Sequence, residues 1–108
     1  MRQLLHGDVV AAARALFAAP AETREATMVN MLLAADIADH YRKTLGRAHP
    51  RYGTGSLMAA ASGWPQPPEP GLDDPDYLAC LICVLSVIRS RKEAARPQER
   101  KRAAKALS

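Results

Sequence analysis

The sequence predicts an all-α protein: a small domain of three to four helices with a Pro/Gly-rich connector and a basic C-terminal tail. Apolar residues recur at helical spacing through most of the chain, and helix-capping and helix-breaking residues stand where those segments begin and end. The 108 residues are 48% hydrophobic, which is enough for one modest core. We therefore predict one helical domain over residues 1–95, followed by a tail over 96–108 that is partly helical or disordered.

The first two helices are marked by their end residues. Asp8 is the predicted N-cap of the first, because its carboxylate can accept hydrogen bonds from free backbone amides. Pro20 ends this helix or opens the next, which is predicted over 21–45 with Gly46 closing it. The second helix carries two adjoining apolar rows, a stripe suited to packing against two other helices. The rows are Val29, Leu33, Ile37, Tyr41 and Leu45, and Met28, Met31, Leu32, Ala35 and Ala38.

Prolines and glycines interrupt the helical pattern between residues 47 and 76. A short helix is predicted over 56–62, capped by Thr54 or Ser56. The segment 64–71 contains four prolines and is predicted to be an extended connector that Trp64 anchors to the body.

The last helix is predicted to begin at the acidic segment 73–76, to run over 77–95 and to be interrupted by Pro97. Because 77–88 is apolar nearly all round, it is either central in the fold or shared with a second copy, which favours a homo-oligomer. The predicted core consists of Val9, Leu16, Phe17, Leu32, Leu33, Ile37, Leu78, Leu81, Ile82, Leu85 and Ile88.

The positive charge of the chain is concentrated at its C-terminal end. The formal net charge is +4, but residues 89–108 hold eight basic and two acidic residues, and residues 1–88 hold seven basic and nine acidic ones. A cluster of this kind suits the phosphates of a nucleic acid, bound without sequence preference. An acidic protein, an anionic membrane surface or simple solvation are the alternatives. The predicted nucleic-acid-binding residues are Arg89, Arg91, Lys92, Arg96, Arg100, Lys101, Arg102 and Lys105.

A second candidate site is the corner after the long helix, where Arg47, His49, Arg51 and Tyr52 precede a helix start. These residues could receive an anion or a partner. A purely structural corner is the favoured interpretation, because chain reversals also need glycines.

The sequence offers little support for catalysis, a metal or a cofactor. Cys80 and Cys83 have the CxxC spacing, but two further zinc ligands at suitable spacing are missing, so buried small apolar side chains explain them better. Asp36, Asp39 and His40 share a helix surface without a nucleophile, and ion pairing is the favoured role. We predict no catalytic residues, no metal and no cofactor.

The cysteine content and the apolar runs predict a cytoplasmic protein without a membrane span. Two closely spaced cysteines do not form the framework expected of a small secreted domain. The longest apolar run covers 77–88, whereas a span requires about 20 residues.

Several segments resemble a family of short, uncharacterised helical proteins from alphaproteobacteria. They are Leu5–Arg14, Gly46–Pro50, Gly53–Ala61, Glu69–Pro70 and Leu72–Leu81, and the likeness covers roughly residues 2–88. The resemblance implies a bacterial cytosolic helical protein. In size, helicity and charge the chain is also similar to the small terminase subunits of phages and gene transfer agents, which oligomerise, touch DNA and recruit a packaging motor.

We therefore expect a non-enzymatic, DNA-associated adaptor or regulatory protein, whose tail binds phosphates and whose body binds a protein, in a process such as phage-like DNA packaging. The alternative is a protein-interaction or assembly subunit without nucleic-acid contact. A third hypothesis, a small enzyme, would use His40 or His49 with Asp36 and Asp39.

Overall fold

The computed structural model describes the backbone of residues 1–107 and the side chains of residues 1–95. Within that part the chain forms four α-helices and no β-strand, which confirms the prediction of a small all-α domain. In chain order the elements are α1 (His6–Phe17), a 3₁₀ turn (Ala21–Thr23), α2 (Arg24–Leu45), α3 (Leu57–Ala61) and α4 (Pro75–Leu107).

Asp8 is the third residue of α1 and not its N-cap, contrary to the prediction. One of its carboxylate oxygens accepts a hydrogen bond from the backbone amide of Leu5 at 2.8 Å. This backward contact is the one that an acidic residue makes at the third position of a helix, so the helix begins earlier, at His6. The other oxygen accepts the amide of Met58 at 2.8 Å. Asp8 therefore fastens the start of α1 to the start of α3.

The predicted ends of α2 and α3 agree with the structure, with one refinement. Gly46 follows α2 in the left-handed conformation, with φ of 70°. Ser56 caps α3 by accepting the Ala59 amide on its hydroxyl at 3.0 Å. The first residues assigned to the second helix, Ala21–Thr23, instead form a 3₁₀ turn. Pro20 thus opens a tighter turn before α2.

α2 and α4 run parallel to each other. At their N-terminal ends the Arg24 guanidinium donates to both oxygens of Asp76, at 2.7 and 3.1 Å. Further along, Asp36 of α2 pairs with Arg91 of α4. Arg24 is buried and also donates from Nε to the carbonyl of Leu16 at 2.9 Å, at the end of α1. One guanidinium therefore joins all three long helices.

α1 packs against α3 and α4 and runs antiparallel to α4, since its last residue, Phe17, lies edge-on to the Tyr77 ring at 6.0 Å. The buried sides of α1 and α2 are rich in small residues, with three buried alanines on each helix. Their small volume lets the helices approach closely. The largest fully buried side chains are Tyr77, Leu16, Met28, Met31, Leu32, Leu57, Val84 and Cys80.

Five residues assigned to the core from sequence are exposed, which corrects that prediction. Leu33, Ile37, Leu78, Ile82 and Leu85 expose between 39% and 64% of their surface. The reason is that α2 and α4 each contact neighbours on one side only. A stripe wide enough for two neighbouring helices therefore leaves one row uncovered.

The proline-rich connector is held against α1 by side-chain to backbone hydrogen bonds. Arg14 donates to the carbonyls of Pro67 and Gln66 at 2.7 and 3.0 Å. The Gln66 amide nitrogen in turn donates to the carbonyls of Ala11 and Ala61 at 3.0 and 3.1 Å. Trp64 packs partly buried against the core, as predicted for an anchor.

The backbone of α4 continues through Pro97 to Leu107, so the predicted interruption is absent. A proline removes one hydrogen bond from a helix, and here the helix continues on both sides of it. Among the described helices, none is long and apolar enough to cross a membrane.

Candidate interaction surfaces

The predicted phosphate-binding residues all lie on α4, from just before its middle to near its end. The side chains of Arg89, Arg91 and Lys92 are described; the other five predicted residues lie outside the described side chains. These are Arg96, Arg100, Lys101, Arg102 and Lys105. Arg89 donates to Glu93 at 3.0 Å, but its side chain is 80% exposed. An exposed pair of this kind contributes little, so Arg89 can exchange Glu93 for another anion.

Arg91 differs from its neighbours because it is tied to the helical body. Its guanidinium donates to a carboxylate oxygen of Asp36 on α2, and both side chains are partly covered. Lys92, one residue further on, is exposed. Of the three basic residues whose side chains are described, Arg91 therefore joins α4 to α2, and Arg89 and Lys92 face solvent.

A second charge cluster surrounds Asp39, whose carboxylate is buried among three cations. Lys43 and Arg42 lie at 3.0 Å and the Met1 ammonium at 3.1 Å. Hydrogen bonds from Lys43, Arg42 and the ammonium hold the pKa of Asp39 well below its usual range. A carboxylate held as an anion in this way is a poor proton acceptor, and this counts against pairing it with the exposed His40 for acid–base chemistry.

The predicted corner is built around the His49 ring. Its Nδ1 accepts the backbone amides of Arg51 and Tyr52, each at 3.1 Å, so the proton of the neutral ring belongs on Nε2. Tyr41 meets the ring edge-on and Tyr52 stacks on it, both at 4.8 Å between ring centres. These contacts agree with the structural interpretation of the corner.

Two cations of the corner remain at its surface. Arg51 lies with its guanidinium carbon 5.6 Å from the centre of the Tyr52 ring, and Arg47 is exposed. The corner thus presents positive charge beside an aromatic stack. That arrangement can receive an anion or a partner, as the second interpretation requires.

The two cysteines are packed rather than poised for reaction. Cys80 is buried in the core and Cys83 is half-buried. Burial raises the pKa of both thiols, which disfavours the reactive thiolate. Among the described residues no group of three or more His, Cys, Asp and Glu side chains is placed to hold a metal ion.

Sequence reasoning missed a groove between α2 and α4, with a volume of about 550 Å³. Its apolar walls include Val29 and Leu33 of α2 and Val87 of α4, and its ends carry Glu25 and Arg91. The signal was present in the sequence as a row of large apolar residues beside an alanine-containing row. The alanine-containing row is buried, and the row without alanines stays exposed at Val29, Leu33 and Ile37.

Comparison with known proteins identifies the family of the chain. No curated protein and no solved structure matches it. A family model, described as a domain of unknown function (DUF7742), matches residues 2–88, a segment that covers α1, α2, α3 and the packed first part of α4. The basic residues from Arg89 onward follow the matched segment. Because the family model matches most of the chain, this protein belongs to the DUF7742 family.

Proposed function

We propose that this protein is a non-enzymatic, DNA-associated adaptor, whose basic C-terminal segment binds phosphates and whose helical body binds a protein. The observation that carries the proposal is the change of character along α4. Its first part is buried through Tyr77, Cys80 and Val84. Its second part carries eight basic residues between positions 89 and 105, on a backbone that stays helical to Leu107.

The charge pattern supports binding to phosphates rather than to bases. Residues 89–108 contain no aromatic side chain that could stack on a base. Each phosphate that a Lys or Arg neutralises releases a counterion, which makes binding strongly salt-dependent and largely independent of sequence. We therefore propose non-specific contact with duplex DNA.

The exposed apolar residues of the body support a protein partner. Soluble monomers rarely expose extended apolar surface without a use for it. The same residues support the alternative function, an assembly subunit without nucleic-acid contact. The likeness to small terminase subunits leads us to propose phage-like DNA packaging in the bacterial cytoplasm as the process.

The test is fluorescence anisotropy of a labelled DNA duplex, measured at several salt concentrations with the full chain. The variant to compare replaces Arg100, Lys101 and Arg102 with Gln. We expect the slope of log affinity against log salt to become shallower by about 0.9 for each lost contact, or about 2.7 in total. Ending the chain at Ser90 is a poorer choice, because it also removes Arg91 and its pair with Asp36.

The matched control replaces three exposed basic residues of the body, Arg2, Arg47 and Arg51, with Gln. It changes the net charge equally and should leave the slope almost unchanged. If the control loses binding and the tail variant keeps it, the corner binds DNA in place of the tail. If the unaltered chain does not bind at low salt, the nucleic-acid proposal fails and the assembly function stands.

A further inference from the structure

One face of α2 is apolar, exposed and continuous with the groove beside α4. Val29, Leu33 and Ile37 lie on successive turns of the helix and expose 42%, 47% and 51% of their surface. Val29 and Leu33 form a wall of the groove, while Leu33 and Ile37 border a second hollow beside Tyr52 and Trp64. We use the name α2 face for the surface that these three residues form together with the groove.

The charges at the two ends of the α2 face are opposite. Glu25 lies at the end where α2 begins; at the other end Arg91, Lys92 and the Met1 ammonium outnumber Asp36, the carboxylate that pairs with Arg91 and with the ammonium. Glu25 and Asp36, the partner of Arg91, are separated by about 16 Å along the helix. Further acidic residues gather near the Glu25 end, where α4 starts, and the basic segment of α4 follows the Arg91 end. The acidic residues are Glu22, Asp73, Asp74 and Asp76.

We infer that the α2 face binds a second copy of this chain, packed antiparallel about a two-fold axis. Turning one copy by 180° brings its Glu25 to the positive end of the second copy, and the reverse contact forms at the other end. A parallel arrangement would set Glu25 against Glu25. The charge pattern is therefore complementary to itself in one orientation only.

The same rotation aligns the apolar residues. The midpoint between Glu25 and Asp36 falls near Asn30, which is also close to the midpoint between Val29 and Leu33. Val29 of each copy therefore packs against Leu33 of the other. In a two-fold interface every substitution acts twice, so one changed residue has a doubled effect. This inference names the partner of the helical body and rests on that half of the proposed function.

The test is sedimentation velocity of the full chain without DNA, from low to high micromolar concentration. We expect the unaltered chain to reach twice its 11.7 kDa mass. Leu33→Glu should remain at the monomer mass with an unchanged circular dichroism spectrum, because the residue is exposed within one copy. Glu25→Arg should weaken association roughly tenfold at low salt and less at high salt.

Ile82→Glu is the matched control, since Ile82 is 64% exposed on α4 and does not line the groove. It should dimerise like the unaltered chain. A chain that stays monomeric throughout, or a Leu33→Glu variant that still dimerises, overturns the inference. If Ile82→Glu prevents dimerisation as strongly as Leu33→Glu does, the inference is also overturned, because the copies would then meet through another face. The tail variant with Arg100, Lys101 and Arg102 replaced by Gln should still dimerise, so failure of DNA binding and failure of self-association are distinguishable.

Discussion

Two rows of apolar side chains run along α2, and only one of them belongs to the core. Met28, Leu32 and Ala35 are almost completely buried, whereas Leu33 and Ile37 are about half exposed. The buried row includes alanines, which allow neighbouring helices to come close. The other row has no helix of the same chain to cover it. The comparison teaches that the width of an apolar stripe does not measure the core, and that alanines interspersed among large apolar residues mark the packed side.

The two rows should differ most in the free energy of unfolding that is lost when neighbouring leucines, one on each row, are truncated to alanine. Leu32→Ala should lower the free energy of unfolding by about 2–5 kcal/mol, because it leaves a cavity in the core. Leu33→Ala, the matched change on the exposed row, should cost less than about 1 kcal/mol at protein concentrations low enough to keep the chain monomeric. Urea denaturation followed by circular dichroism measures both. Equal losses would mean that the two rows are not different in packing.

Enlarging a small residue tests the close approach of the helices. Ala35 is fully buried, so Ala35→Leu should destabilise the fold by about 1–3 kcal/mol through overpacking. Ala26→Leu adds the same group at an exposed position of α2 and should change stability by less than about 0.5 kcal/mol. A neutral Ala35→Leu, judged by thermal unfolding, would show that the buried side of α2 has spare room.

The corner after α2 presses on the buried side of the helix at Gly55. Gly55 has φ of 99°, and a Cβ placed there would lie 2.8 Å from the Cα of Asp39. Gly55→Ala should therefore cost more than about 1 kcal/mol. Gly46→Ala has a similar positive φ but nothing within 4 Å of the added carbon, so it should cost less. A chemical denaturation series comparing the two variants would contradict this if their order were reversed.

The charge cluster around Asp39 should make the stability of the fold depend on pH at the acid end. Because its three cations lower the pKa of Asp39 in the folded state, the unfolded state takes up a proton first as the pH falls. The stabilisation is present above the ordinary value of 3.8 and is lost as the pH falls through the lower folded-state pKa. Asp39→Asn should make the fall in stability below about pH 4 shallower.

The control for this prediction is Asp73→Asn, which removes a carboxylate from an exposed position. Denaturation midpoints measured from neutral to acid pH should fall as steeply for this variant as for the unaltered chain. If Asp39→Asn follows the same steep curve, the cation cluster around Asp39 does not control acid stability.

Local signals in the sequence were sufficient to predict two of the helix ends. Ser56 and Gly46 act through hydrogen bonds or backbone angles within a few residues, and both are found as predicted. Asp8 was assigned to the wrong position of its helix, and its second hydrogen bond, to the Met58 amide fifty residues away, was not predicted. Such a contact depends on how α1 and α3 pack, which no local pattern contains.

The candidate surfaces were predictable only in part, for a similar reason. The concentration of charge in residues 89–108 is visible in the sequence, but the pairing of Arg91 with Asp36 depends on the parallel arrangement of α2 and α4. Likewise Leu33 and Ile37 look like core residues by periodicity. Their exposure follows from where the neighbouring helices lie around α2, a property of the whole fold.

The unbroken backbone of α4 has a geometric consequence for any molecule held at its far end. Each residue of an α-helix turns the chain by about 100° and advances it by about 1.5 Å. Because α4 runs from Pro75 to Leu107, the body sets the angular phase of the basic segment. A single residue inserted after Ala95 would rotate that segment by more than a quarter turn, while four would nearly restore it. The number of residues between core and tail thus fixes the angle at which a bound duplex would meet the body.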